Sequence, residues 1–287
     1  SLPVVQLDYS FPQFTLSGGY IVILTGIDTL TGLVMACMLD SKAVTEYSVA
    51  EVKLFLMDSG RTSDVILQTD QEPAIMAQVK KIASDLLSVK VRHSPIYSSG
   101  SQGAVERWHQ TLNGTIKTFV SMIKNKLNME ITAVSPLLPW IIRHSAWVVS
   151  RYMVHSSDKL TSYARRWGQP YTSPIASFAE AVNFKISASR HPKLTTSWDS
   201  GVWLGKDSLT NDHLVGCSDG SVIRARTVRR LLPARQWQPG LVSGVKGTPS
   251  SPSGSGEVDT SLIFGSQTLT FNQLPLPQPA PTGGLGS

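Results

Sequence analysis

Between Val105 and Leu127 the apolar residues Val105, Trp108, Leu112, Ile116, Phe119, Ile123 and Leu127 recur every three or four positions. That is the period of one helix face, kept up for about six turns. A helix this long with a single apolar stripe must lie on a surface wide enough to cover it, such as a sheet. The sequence before it supplies the strands. Val4–Phe11, Tyr20–Ile27 and Leu33–Leu39 are β-rich runs, with turn chemistry at Gly18-Gly19 and at Asp28–Gly32. Tyr47, Ala50, Leu54 and Met57 then fall at helical spacing, and Asp58-Ser-Gly60 supplies a stop. Asp64–Thr69 is a short strand, Ile75, Val79, Ile82 and Leu86 mark a second amphipathic helix, and Ser88–Arg92 is a fifth strand. After the long helix, Pro136–His155 reads as another, buried through Trp140, Ile141, Trp147 and Val148. The order βββ-α-β-α-β-α-α predicts an α/β (α+β) domain over residues 1–155.

The rest of the 287 residues divides into three. Residues 156–180, with Pro170 and Pro174, read as a linker. Residues 181–235 hold short strands at Val182–Ser187, Ser200–Leu204, His213–Cys217 and Ser221–Leu231, separated by Gly and Asp-Gly turns. This pattern predicts a small β-barrel. Residues 236–287 are dominated by Pro, Gly and Ser and end in the proline-rich Leu274–Pro281. Such a composition buries too little apolar surface to offset its ordering entropy, so it predicts a disordered linker. Only the apolar island Ser261–Phe271 offers anything to dock, and it is left undocked in this reading.

Composition narrows the function. Two cysteines, Cys37 and Cys217, exclude a disulfide scaffold or a cysteine-rich zinc module and read as buried thiols. The six histidines have no paired metal spacing. No apolar run reaches membrane-spanning length, so no membrane partner is expected, and no targeting signal is seen. The formal charge of +6 is unevenly spread: residues 1–97 sum to −3 and residues 98–179 to +6. An acidic third followed by a basic remainder suggests cation ligands first and a phosphate-facing surface after.

Three carboxylates stand where side chains can project into a shared site. Asp8 lies in the first strand, Asp70 follows the fourth, and Glu106 is in the first turn of the long helix, facing away from its apolar stripe. Mg²⁺ takes oxygen ligands and often uses a few carboxylates while keeping other positions for water and phosphate. A pair of ions can activate an attacking oxygen and stabilise the leaving one. Asp8, on a rigid central strand, suits a bridging role, with Asp70 and Glu106 each completing one ion. Spacing alone is weak support for such a set; its context is stronger.

That context is specific. Ser94–Arg107, in which Gly103 and Glu106-Arg107 follow a Ser/Gln-rich loop, and Thr69–Ile75 around Asp70 resemble the motifs of retroelement integrase cores, the D,D(35)E family. Gly201–Gly205 and Arg224–Arg230 resemble the small SH3-like barrel that follows the core in copia-like LTR retrotransposon polyproteins. Gln71-Glu72 departs from the Gly-containing pair usual after the family's second aspartate. The resemblance implies a ribonuclease-H-like mixed five-stranded sheet with flanking helices, and then the barrel. It implies two-metal 3′-end processing and DNA strand transfer, with Asp8, Asp70 and Glu106 as catalytic metal ligands for two Mg²⁺ or Mn²⁺ ions. It also implies double-stranded DNA as partner, a homo-oligomer in the active complex, and work in the nucleus or in a cytoplasmic particle. The chain is expected to be a fragment of a polyprotein whose zinc module lies elsewhere. Two other readings stay open: a non-catalytic DNA-binding remnant, and an RNA/DNA-hybrid nuclease on the same fold.

Further contacts follow from position. Gln110, Asn113 and Lys117 share the Glu106 face and are candidates for DNA contact, the plainer reading being a solvated helix face. His109 is near the same site but reads as structural, and Trp108 as core. Tyr97, Ser98 and Ser99 sit in the loop before Glu106. Arg224, Arg226, Arg229 and Arg230 form the densest basic cluster and are expected to meet the DNA backbone. Asp28 and Asp40 read as turn residues, and Glu72 as a helix-first-turn carboxylate.

Overall fold

The structure is a computed structural model and describes residues 2–14, 19–86, 88–93, 103–186 and 197–264. The elements come in the expected order. Strands β1 (Val4–Ser10), β2 (Val22–Asp28) and β3 (Val34–Leu39) are followed by helix α1 (Glu46–Asp58), β4 (Val65–Thr69), α2 (Pro73–Asp85) and β5 (Val89–His93). Helices α3 (Gly103–Leu127) and α4 (Leu137–Tyr152) complete the core. The five strands form one mixed sheet in the order β3-β2-β1-β4-β5. β1 runs antiparallel to β2 and parallel to β4, so it lies at the centre. Local chemistry sets the helix starts. Thr45 caps α1 in a reciprocal box with Ser48, and Pro73 opens α2.

Each face of the sheet is covered. Val105, Trp108, Leu112, Ile116 and Ile123 of α3 pack with α4 against Ile21, Ile23 and Ala36. On the other face, Val52, Phe55 and Leu56 of α1 and Ile75, Val79 and Ile82 of α2 cover Val5, Leu7 and Leu24. Trp108 is buried and its indole N–H donates to the Met35 carbonyl at 3.1 Å. Such a layered sandwich buries the apolar stripes of both helix pairs at once.

A short helix, α5 (Ser162–Trp167), falls within the expected linker and starts at a Thr161 cap. Beyond it lies a second sheet, all antiparallel, of β6 (Ala181–Lys185), β7 (Trp198–Lys206), β8 (His213–Gly216), β9 (Val222–Ala225) and β10 (Val228–Arg230). Its order is β10-β6-β7-β8-β9. The two edge strands, β9 and β10, are joined only through Arg226-Thr227. So short a connection makes the sheet curl until its edges approach, giving a small barrel-like body. The sheet leans on α4: Val202, Leu204 and Leu214 join the cluster of Trp140 and Ile141. At the bulge between Trp203 and Gly205, Gly205 has φ +130°, and a Cβ there would lie 2.9 Å from His144 Nδ1.

The expected disordered linker over 236–287 is corrected for its first part. Residues 236–264 fold back onto the core and the second sheet. Val242, Val245, Leu262 and Ile263 are buried, in and around helices α6 (Pro239–Ser243) and α7 (Ser261–Phe264). Trp140 donates its indole N–H to the Gly247 carbonyl at 2.8 Å, and Val222 N–H donates to the Pro252 carbonyl at 2.8 Å. A few well-placed apolar side chains and main-chain bonds to a preformed surface are enough to order a Pro/Gly/Ser-rich stretch. The rest of the tail, residues 265–287, lies outside the described residues. Among the described residues no helix is long and apolar enough to cross a membrane.

Candidate active site

Asp8 is on the central strand, and its parallel pairing with β4 runs Val4–Ile66, Val5–Leu67 and Gln6–Gln68. Continued by two residues, that register sets Asp8 level with Asp70, just past the end of β4. On the other side Thr25 of β2 is the direct partner of Asp8. The start of α3 is fastened over the same strand. Val105 N–H donates to Gln6 Oε1 at 3.3 Å. The Thr25 hydroxyl donates to the Asp8 carbonyl at 2.9 Å, and its oxygen lies 2.7 Å from His109 Nε2. A hydroxyl that has given its proton away must accept here, so His109 carries hydrogen on Nε2. Glu106, one turn before His109, is thereby held near Asp8.

The electrostatics record this gathering. The half-buried Asp8 carboxyl is raised to about 7, mainly by burial, then by the negative charges of Asp70, Glu72 and Glu106, although Tyr9 N–H donates to Oδ1 at 2.8 Å and works against the rise. Glu72, a minor candidate from sequence, is therefore part of the neighbourhood. Lys42 pairs with it and lies 4.3 Å from the Phe11 ring centre. Asp70 Oδ1 accepts from Glu72 N–H at 3.1 Å, which orders the turn after β4. Burial lowers the pKa of His109, so its role as a neutral tether is consistent with its surroundings.

Oxygen donors of this type suit a hard divalent cation, and Asp70, Glu72 and Glu106 are near enough to Asp8 for their charges to act on it. The set is not closed. Among the described residues no three His, Cys, Asp or Glu side chains stand together closely enough to hold an ion.

The remaining expected residues fall into two groups. Gln110 and Lys117 are exposed and Asn113 is half-buried on α3. Asn113 and Lys117 line a groove of about 500 Å³ between α3 and the segment around Pro12 and Phe14, with Lys124 farther along it. The arginines are separated by the structure. Arg224 sits 2.8 Å from Oδ2 of the fully buried Asp207 and donates to the Leu262 carbonyl. Arg230 donates twice to the fully buried Glu180, at 2.7 and 2.8 Å. Arg229 lies over the Trp198 ring at 4.1 Å. Arg226 is exposed. Tyr97, Ser98 and Ser99 lie outside the described residues. Asp28 keeps its turn role, accepting from Leu30 N–H at 3.2 Å, and adds an ion pair with Arg61 at 2.8 Å. Cys37 is buried as expected, while Cys217 is half-buried.

No family model matches the chain. Over 101 residues, 35% of its length, it is 30% identical to the Pol polyprotein of Ovine maedi visna related virus (strain South Africa), and it spans 9% of that protein. In sequence, the chain resembles part of a viral Pol polyprotein. Among solved structures it is similar to the HTLV-2 integrase catalytic core domain in complex with magnesium, at 14% identity and a TM-score of 0.42 over 57% of this chain and 95% of that one. It is also similar to a chain of the simian T-cell lymphotropic virus intasome in complex with PP2A regulatory subunit B56 gamma, at 17% identity and a TM-score of 0.44 over 80% and 79%.

The raised Asp8 carboxyl gives a pH prediction. Its ordinary value is 3.8 and its folded value about 7, so the native state holds a proton that the unfolded chain releases within that window. The metal-free protein then loses stability as pH rises from about 4 through 7. Thermal melts in chelator should show a smaller loss across that range in Asp8→Asn than in the unsubstituted chain. Identical pH slopes would mean that the Asp8 carboxyl is not held protonated by its surroundings in the folded protein.

Proposed function

We propose that this chain is the core and following barrel of a retroelement integrase of copia-like type, which trims DNA 3′ ends and joins them to target DNA. The observation that supports the reading is the β1–β4 register, which continues to bring Asp8 level with Asp70, with Asp70, Glu72 and Glu106 near enough for their charges to act on Asp8. Asp8, Asp70 and Glu106 would hold two Mg²⁺ or Mn²⁺ ions. When bound, such ions supply Lewis acidity to the attacking and leaving oxygens of a phosphodiester. The chain's own contributions are positional. Tyr9 N–H holds one Asp8 oxygen. The Thr25–His109 contact keeps α3 against β1, and in this reading Glu106, one turn earlier, would reach the sheet end from there. From there Gln110, Asn113 and Lys117 present amides and an ammonium along successive turns, suited to a phosphate backbone. In the second sheet, Arg226 and the ring-stacked Arg229 remain available for backbone contact. Work on chromosomal DNA in the nucleus, as a homo-oligomer, follows from this reading.

The test is a joining assay on a duplex carrying the element's end sequence, with Mg²⁺ or Mn²⁺. Trimmed and joined products should appear only with metal. A second reading, DNA binding without turnover, is supported by the open carboxylate set. Salt-sensitive binding of unrelated duplexes with no product at any metal concentration would establish that reading instead. Cleavage of an RNA/DNA hybrid in preference to a DNA duplex would point to the nuclease.

A further inference from the structure

Away from the carboxylates, the end of β7 holds a buried lysine in an unusual set of contacts. Lys206 is 7% exposed and pairs across the strands with His213. Its Nζ lies 2.9 Å from the Asn211 carbonyl, 3.4 Å from Ser173 Oγ and 3.2 Å from His213 Nε2. Among the described residues it makes no ion pair. The other ring nitrogen of His213, Nδ1, accepts the indole N–H of the fully buried Trp203 at 2.9 Å.

An indole N–H can only donate, so Nδ1 must be the bare nitrogen. In the neutral ring the hydrogen is then on Nε2, pointing at Lys206. An ammonium has three hydrogens and no lone pair, so it cannot receive that hydrogen. A neutral amine can. It accepts once, from Nε2–H, and donates twice, to Asn211 and Ser173, which matches the three contacts found. A protonated His213 would not rescue the ammonium, because Nδ1–H would then face the indole N–H.

We propose that Lys206 is a nucleophilic lysine whose contacts are built for the neutral amine, open to small aldehydes through the pocket it lines. That pocket has a volume of about 520 Å³. In the step, the Nζ lone pair attacks the carbonyl carbon and the C–N bond forms. The two amine hydrogens leave with the carbonyl oxygen as water, giving an imine without any redox change. Nζ gives up its contact with His213 Nε2–H as the lone pair is used, while the ring keeps its bond to Trp203.

The surroundings ease loss of the proton. Burial lowers the amine to about 8, with Asp212 working the other way, and burial lowers His213 to about 4. Asp212, Arg226 and Arg230 also border the pocket. On the side towards α1 and α4 stand Glu51, Asp58, Arg143, His144 and Arg151. There the charges are matched, with Arg143 at 3.4 Å from Glu51 and Arg151 at 3.6 Å from Asp58, and burial holds His144 at about 3.

The experiment is reductive methylation of the full chain by formaldehyde and cyanoborohydride between pH 6 and 9.5, with each lysine followed by peptide mass spectrometry. For a lysine amine free in water, the neutral fraction, and with it the rate, climbs about tenfold per pH unit across this range; the exposed Lys159 and Lys246 serve as internal references. The Lys206 rate should climb beside theirs up to about pH 8 and then level off while theirs go on rising. A Lys206 rate that goes on climbing in step with Lys246 above pH 8, or no labelling at Lys206 while the surface lysines react, overturns the proposal. Trp203→Phe removes the indole N–H and lets His213 accept on Nε2. If the variant folds by circular dichroism, its Lys206 midpoint should move above pH 9, and an unchanged midpoint would refute the tautomer argument. The unsubstituted chain alone decides the matter if that variant does not fold.

Discussion

Asp8→Asn should lower DNA joining by at least about a hundredfold while leaving the protein folded, and Asp70→Asn and Glu106→Gln should do the same. The magnitude follows from chemistry. Ions at a phosphodiester supply several kcal/mol of charge stabilisation, and each 1.4 kcal/mol is about tenfold in rate. The amide keeps the size of the side chain and removes its charge. At Asp8 the fold should become more stable in the absence of metal, because a half-buried carboxylate among three others is replaced by a neutral group. The two readouts therefore move in opposite directions, which a general folding defect cannot produce. Single-turnover joining assays beside thermal melts in chelator measure both. Wild-type rates in all three variants would remove the carboxylates from the mechanism.

The second large effect separates arginines that look alike in sequence. Arg224→Ala should destabilise the protein by about 3 kcal/mol, because it strands the fully buried Asp207 carboxylate. The low end of that principle's range is appropriate. The contact is close but not aligned as a hydrogen bond on Oδ2, and Oδ1 is already served by Leu209 and Thr210 N–H at 2.9 and 2.8 Å. The melting temperature should fall by roughly 5–10 °C. Arg226→Ala, at an exposed position, should leave the melt unchanged and reduce the salt slope of DNA binding by about 1. If Arg224→Ala instead weakened DNA binding at full stability, Asp207 would not be its partner in solution.

These two arginines also show where sequence reading stops. Alternation along a strand says that Arg224 and Arg226 share a face, but not what lies beneath it. Asp207 and Glu180 come under Arg224 and Arg230 only once five short strands have curled into one body. The core sheet was easier to foresee, since each strand and helix carries its own apolar period and α3 alone requires a broad surface. The placing of Asp8 beside Asp70 follows from their strands being neighbours, and Glu106 falls in the first turn of α3 as its position after the Gly/Ser loop led one to expect. Thr25 was not legible, because its place opposite Asp8 depends on the β1–β2 register. The folded part of the tail was misread because composition averages over position. Val242, Val245 and Leu262 are few in a Pro/Gly/Ser-rich stretch, yet each fills a gap in a surface formed by residues far earlier in the chain.

The central claim is that Asp8, Asp70 and Glu106 together hold divalent metal. It is tested most directly by growing crystals in Mn²⁺ and locating the ion by its anomalous scattering. The account predicts manganese density between Asp8 and Asp70, with Glu106 turned towards it, and no such density in Asp8→Asn crystals grown the same way. A Mn²⁺-saturated crystal whose sheet end is empty, or one in which the ion is unmoved by Asp8→Asn, would contradict it.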